Sequence, residues 1–293
     1  AAVAEIRHTP EVVSAEEKPS QALRRGRNSS MRLAIDSVAA GDADGVVSAG
    51  NTGALMAMSK FVLRTLPGID RPAIAGTFPT VTGRAVVLDL GANVDCDANN
   101  LVQFAVMGAA FARTVLGMPR PKVGLLNVGE EELKGNDTVR LAAQILRNAD
   151  LPMNFFGFIE GDDITMGTTD VVVVDGFTGN IALKTAEGSV KLYAELVREA
   201  FGESLITKIG FLLAGSALKR TRARLDPRSH NGGVFLGLNG ISVKSHGGAD
   251  KTGFASAVGV AADMAENNLK RRIIDDFKRF GGMREQPARA AAR

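Results

Sequence analysis

Five polar, glycine-bearing turns interrupt this sequence where apolar runs end: SAGNTG (48–53), DLGANVDC (89–96), NVGEEELKGN (127–136), DGFTGN (175–180) and SHGGAD (245–250). Glycine permits positive φ and close approach of a ligand, and the first amides of a following helix point unpaired into such a turn. That chemistry suits an anion, phosphate above all. The candidate cradle amides are those of 51–53 and 178–180, with Ser48, Asn51, Thr52, Gly53, Asp175, Gly176, Thr178, Gly179 and Asn180 as its residues. Lys134, in the loop EEELKGN, and Lys184, one helical turn after Asn180, direct ammonium groups toward the same strand ends. His246, flanked by glycine, can supply a proton near neutral pH. Asp89, Asn93 and Asp95 take supporting roles, because a carboxylate facing phosphate repels it, and Glu132 is placed to hold Lys134. Any one of these turns is also an ordinary helix cap, any one lysine a solvated surface group, and His246 alone a capping residue. As a set after strands, the turns predict one shared polar cleft.

Positioning such turns requires strands that end where helices begin. Apolar runs rich in Val, Ile and Phe at 45–48, 73–78, 84–90, 122–128, 154–159, 170–175, 234–238 and 241–244 read as strands. Helix-period segments lie at 30–40, 53–65, 99–116, 137–148, 180–201, 204–222 and 251–268. The alternation predicts an α/β/α sandwich with a mostly parallel sheet, buried on both faces, and ligands at the carboxyl ends of strands. The basic, Gly-rich stretch 219–233 reads as an exposed loop, and 283–293 as a frayed end. The chain opens AAVAEIRHTP without Met in strand-like residues, so a preceding segment is expected, and 1–293 reads as one α/β domain.

Composition excludes several classes. With 293 residues and 45% hydrophobic content, disorder is not the expectation. A net charge of +3, from 35 basic and 32 acidic side chains, is too small for a charge-driven nucleic-acid binder. The single cysteine, Cys96, rules out an internal disulfide and fits a reducing compartment, hence the cytoplasm. It also admits a ping-pong acyl-enzyme reading, against which stands a small buried packing role. Three scattered histidines without H-E-x-x-H leave metal binding without a motif. No Walker loop or G-x-G-x-x-G is present, so phosphate without a nucleotide is the leaner inference.

SAGNTGALMA, LDLGANVDC, LLNVGEEELKGN, FIEGDD and VVVVDGFTGNIALKTAEG, in this order, resemble the sequence blocks of the bacterial phosphate acyltransferase family, PlsX. The resemblance implies transfer of a long-chain acyl group from the phosphopantetheine thioester of acyl carrier protein to inorganic phosphate. It implies no resident cofactor, a homodimer, and a fold similar to phosphate acetyltransferases and the isocitrate and isopropylmalate dehydrogenases. Its members work at the membrane periphery and supply a downstream glycerol-phosphate acyltransferase. Two features depart from the family pattern: its opening strand and Met-Gly-Gly-Asp-type turn have no counterpart here, and Gly248 stands where Ser is commoner. If the absent turn lines the phosphate site, the chain lacks part of that site.

Residues 205–230 form a separate candidate element. Leu212 and Leu213 belong to an apolar segment too short to span a bilayer, followed by Lys219, Arg220, Arg222 and Arg224. This suits an interfacial helix on anionic lipid, or docking of an acidic carrier protein, or a core or dimer-interface helix before a solvated loop. The enzymatic rival is a short-chain phosphate acetyltransferase using coenzyme A, and the non-catalytic rival is a scaffold that binds carrier protein and membrane.

Overall fold

The four-residue run Val171 to Val174 shows how this fold is buried: Val171 and Val173 face one apolar cluster, Val172 and Val174 another. Side chains alternate across a strand, so an unbroken apolar run means a sheet covered on both faces. The computed structural model describes residues 4–224, 226, 228 and 231–290. Its strands are β1 (Gly45–Ser48), β2 (Ala73–Pro79), β3 (Arg84–Leu88), β4 (Lys122–Leu126), β5 (Asn154–Ile159), β6 (Val171–Val173), β7 (Gly233–Leu236) and β8 (Ile241–Lys244). Its helices are α1 (Pro19–Arg25), α2 (Ser30–Ala40), α3 (Thr52–Leu63), α4 (Ala98–Val115), α5 (Asp137–Arg147), α6 (Asp163–Met166), α7 (Gly176–Gly202), α8 (Leu205–Arg224), α9 (Lys251–Glu266) and α10 (Leu269–Ala290).

The strands form one sheet in the order β1-β8-β7-β2-β3-β6-β4-β5. Both wings are parallel, β1 with β8 and β3-β6-β4-β5, whereas β8-β7, β7-β2 and β2-β3 pair antiparallel. The connections explain the centre: residues 80–83 and 237–240 are too short for a crossover and return the chain beside itself. Helices α4, α5, α9 and α10 contribute to one core, and α1, α2, α3 and α6 to the other, against which α7 also packs. The expected α/β/α sandwich with a mostly parallel sheet is therefore present.

Helix α4 is the central prop, with Phe104, Met107 and Phe111 buried against the sheet, each worth about 1.5–3 kcal/mol. Gly108 allows that approach: a Cβ there would lie 2.7 Å from Val171 Cγ1 and 2.8 Å from Leu88 Cδ2. The Arg113 guanidinium, almost buried, pairs with Asp276 and ties α10 to α4.

Four expectations need correction. Residues 4–9 form no strand. DGFTGN is not a turn before a helix, because α7 starts at Gly176, with Asp175 as its cap. Lys219, Arg220, Arg222 and Arg224 are helical, since α8 runs to Arg224 before the chain leaves toward β7. Residues 283–290, expected to be frayed, are helical too, as α10 reaches Ala290, and 291–293 lie outside the described residues. The Arg222 side chain and His230 lie outside the described residues.

Candidate functional site

One row of paired residues crosses all eight strands: Val47, Val243, Val234, Ala75, Leu88, Val173, Leu125 and Phe158. From this row β1 and β8 run one way, and β3, β6, β4 and β5 the other. The turns after β1 and β8 thus leave the sheet in the direction opposite to those after β3, β4 and β6. The single cleft expected from sequence is divided into two groups of turns. Strand direction is the physical reason, because the hairpin-like centre reverses the sheet midway.

In the first group, the turn after β3 meets the start of α7. Asp89 is fully buried, and its Oδ1 accepts the Ile74 and Ala92 amides (2.8 and 3.1 Å). Its Oδ2 accepts the Asn93 amide and side-chain Nδ2 (2.6 and 2.9 Å). Burial pushes this carboxyl above the ordinary carboxylate range, against the pull of those donors. Asn93 Nδ2 also donates to Pro72 O (2.8 Å), so Asp89 and Asn93 hold their own loop to the start of β2. Gly176 and Gly179 serve packing here rather than ligand approach. A Cβ on Gly179 would lie 1.9 Å from Asp89 O, and one on Gly176 2.6 Å from Asn93 O. Asn180 sits against Gly91, itself at φ 118°.

The α7 amides proposed as a cradle are occupied. Gly176 N donates to Asn93 O (2.7 Å), Thr178 N to Asp175 Oδ1 (2.8 Å) and Gly179 N to Asp175 O (2.9 Å). A carboxylate already seated on the helix start repels a second anion. Beside it lies a cavity of about 460 Å³ whose lining includes Leu101, Leu125, Val139 and Val173, with Asp95, Cys96 and Asp175 among its polar members. Apolar walls and two carboxylates make it no place for phosphate. Burial pushes the Cys96 thiol up to about 11, which argues against a ready thiolate nucleophile.

The lysines of the sequence reading also fall on this side of the row or on its helix. Lys134 is exposed and faces Glu131 at 4.0 Å, while Glu132 pairs with Arg147 instead of Lys134. The expected Glu132–Lys134 contact is therefore absent, because Glu132 has the guanidinium of α5 within reach. Lys184 is exposed on α7 and donates to Glu187 (2.9 Å). No hydrogen bond or ion pair among the described residues joins either lysine to His246.

The second group is laced together at its backbone. Ser245 N donates to Ser48 O (2.9 Å), placing the SHGGAD turn beside SAGNTG. Asn51 caps α3 through Ala54 N (3.0 Å), and its Nδ2 gathers the carbonyls of Ser14, Ala15 and Glu17 at 3.2, 2.9 and 2.9 Å. Asn51 is thus a structural cap, and Gly53 lets Pro19 of α1 pack, since a Cβ would stand 2.7 Å from its Cγ. The Thr52 and Gly53 amides meet no protein acceptor among the described residues. Ser48 Oγ accepts Gly50 N (3.2 Å). His246 Nδ1 accepts Gly248 N (3.1 Å), which puts its ring proton on Nε2. Asp250 caps α9 through Gly253 N (2.9 Å) and pairs with Arg228 (3.1 Å).

Two residues here escaped the sequence reading. Asn231 braces the β8 turn from 15 residues away, accepting His246 N at 2.8 Å and donating to Ser245 Oγ (2.8 Å) and Gly253 O (2.7 Å). Lys244, the last residue of β8, is half-buried, and its Nζ donates to Ala49 O (3.4 Å) and Ser245 O. A cation ending the run ISVK just before SHGG was the one available signal for it.

Helix α8 is not a core helix. Leu212 and Leu213 are 79% and 83% exposed, and the helix leans on α7 with the Phe201 and Phe211 rings 5.3 Å apart. Lys219 and Arg220 are exposed, whereas Arg224 reaches the Thr80 and Val81 carbonyls (3.5 and 3.2 Å). Among the described residues, no helix is long and apolar enough to cross a membrane.

Comparison with known proteins agrees with this architecture. Solved structures of phosphotransacetylases from Streptococcus pyogenes and Staphylococcus aureus (EutD) superpose with TM-scores of 0.56 and 0.54, each covering 80% of this chain and 66% of theirs. At 21% identity, these show a shared fold. Closer in sequence, the phosphate acyltransferase of Rhodospirillum centenum is 62% identical over 288 residues, 98% of this chain and 81% of the relative. That of Paramagnetospirillum magneticum is 60% identical over 290 residues, 99% of this chain and 83% of the relative. The model of the family described as "Fatty acid synthesis protein" matches residues 2–272. The chain belongs to that family, the PlsX family of bacterial phosphate acyltransferases.

Proposed function

We propose that the chain transfers a long-chain fatty acyl group from the phosphopantetheine thioester of acyl carrier protein to inorganic phosphate. The chain works in the cytoplasm, and its acyl phosphate serves the first acylation of glycerol phosphate in phospholipid synthesis, by a downstream acyltransferase. The observation that supports it is the joined pair of turns after β1 and β8: the Lys244 ammonium bridges the Ala49 and Ser245 carbonyls there, and at the end of the β1 turn the Thr52 and Gly53 amides meet no protein acceptor among the described residues. The α7 start, by contrast, carries Asp175.

Phosphate is its own nucleophile, so the protein needs position and electrostatics more than covalent chemistry. A phosphate oxygen attacks the thioester carbonyl carbon, the carbon–sulfur bond breaks, and the proton carried by hydrogen phosphate ends on the departing sulfur. His246 presents Nε2–H, a donor suited to the oxyanion formed on that carbon.

The exposed apolar face of α8 with Lys219 and Arg220 is assigned to peripheral contact with an anionic membrane, and the same cations steer an acidic carrier protein. Homodimerisation completes the reading. The test incubates the protein with labelled phosphate and either palmitoyl-acyl carrier protein or acetyl-coenzyme A, trapping acyl phosphate as hydroxamate. Product from the long-chain carrier thioester is expected; product only from acetyl-coenzyme A, or from neither donor, defeats it.

A further inference from the structure

Among the described residues, Lys244 is an ammonium without a counter-ion. Its Nζ reaches the carbonyls of Ala49, in the turn after β1, and Ser245, in the turn after β8. An ammonium has three donors, and the third meets no protein acceptor among the described residues. No carboxylate stands within ion-pair distance of it there: the acid of the same turn, Asp250, is engaged by Arg228 and by the start of α9. A half-buried charge held only by two neutral carbonyls is poorly compensated, and it stays where an anion arrives to complete it.

We infer that Lys244 binds the phosphate substrate, holding the dianion at the junction of the turns after β1 and β8, where its Nζ bridges the Ala49 and Ser245 carbonyls. This rests on the phosphate-transfer reading above and names the cation that serves it. Burial lowers the Lys244 ammonium from its usual value, consistent with a cation that gains from a bound dianion. The arrangement also explains why the cation ends a strand. Its Cα is fixed by β8, paired to β1 with Ser48 opposite Lys244, and its Nζ is held by two backbone carbonyls, whereas Lys134 and Lys184 are exposed.

The test compares the wild-type chain with Lys244→Met and Lys244→Arg. At saturating acyl carrier thioester, Lys244→Met is expected to raise KM for phosphate at least about tenfold, the scale of one lost charge-assisted contact, with a smaller change in KM for the acyl donor. Lys244→Arg, which keeps the charge, recovers part of that loss. An unchanged KM for phosphate in a folded Lys244→Met overturns the inference.

A second measurement uses the unmodified chain and needs no turnover. Reductive methylation of lysines is followed residue by residue by mass spectrometry, with and without inorganic phosphate. Slowing of Lys244 several-fold relative to Lys134 and Lys184 supports the assignment, and no selective protection overturns it. If the wild-type chain forms no acyl phosphate yet phosphate protects Lys244, the transfer reading fails while the binding site stands.

Discussion

The side-chain oxygen of Asn231 accepts the backbone amide of His246 at 2.8 Å, so a residue at the entrance to β7 sets the conformation of the turn that leaves β8. Because the Asn231 amide group also donates to Ser245 and Gly253, three groups of that turn and of α9 depend on one side chain. Asn231→Ala is expected to lower kcat for acyl phosphate formation by tenfold or more, on the order of the misplacement effect seen when a supporting contact is lost. The accompanying loss of stability is about 1–3 kcal/mol, read by urea unfolding. Unchanged turnover with the expected loss of stability would restrict Asn231 to a structural role.

Cys96 offers a clear negative. With its thiol pushed up to about 11 by burial, the thiolate is a fraction on the order of one in a thousand at pH 8. Cys96→Ala should therefore keep transfer within about twofold, and a rapid-quench experiment should show no acyl group on the protein. Alkylation by iodoacetamide should rise only as pH approaches 11. A trapped acyl-cysteine would reinstate the two-step route.

Two glycines of α7 make a matched pair. Gly179→Ala drives a Cβ to within 1.9 Å of Asp89 O, a backbone atom of a loop pinned by four hydrogen bonds, and should destabilise by about 3 kcal/mol. Gly188, further along the same helix, meets nothing within 4 Å, so Gly188→Ala should stabilise by up to about 1 kcal/mol. Thermal melting of both variants checks this, and equal effects would contradict the tight seating of α7 on the Asp89 loop.

The cap of α9 sets an acid limb. The Gly253 amide first, and then Arg228, hold the Asp250 carboxyl below its ordinary value. A carboxyl lowered on folding contributes stability that is present above its unfolded pKa and is lost as pH falls through the folded value. Wild type should therefore lose stability below about pH 4, and Asp250→Asn, which keeps the cap oxygen but no charge, should show a flatter slope there. Parallel acid titrations of the two proteins, followed by circular dichroism, decide it.

Much of this protein was legible in one dimension. All eight strands lie where Val-, Ile- and Phe-rich runs end in glycine or a polar cap, because burial on two faces demands such runs whatever the direction of the strand. Asn51, Asp175 and Asp250 each proved to cap the helix that follows, a local relationship carried by the side chain and the next three residues. The sequence blocks that resemble the phosphate acyltransferases are contiguous, so the family was legible too.

Strand direction was not legible, since a side-chain period of two reads the same either way, and only the pairing of β7, β2 and β3 divided five similar turns into two groups. Nor was the purpose of Gly176 and Gly179, which answer to a loop some 85 residues earlier by roughly counted chain distance and need the tertiary contact to explain them. Lys244 acquired meaning only when β1 came to lie beside β8, and Asn231 only when β7 did. Composition and local pattern determined which segments fold and how each helix begins, because those depend on neighbours in the chain; long-range pairing alone decided which charges share a site and which are left without a partner.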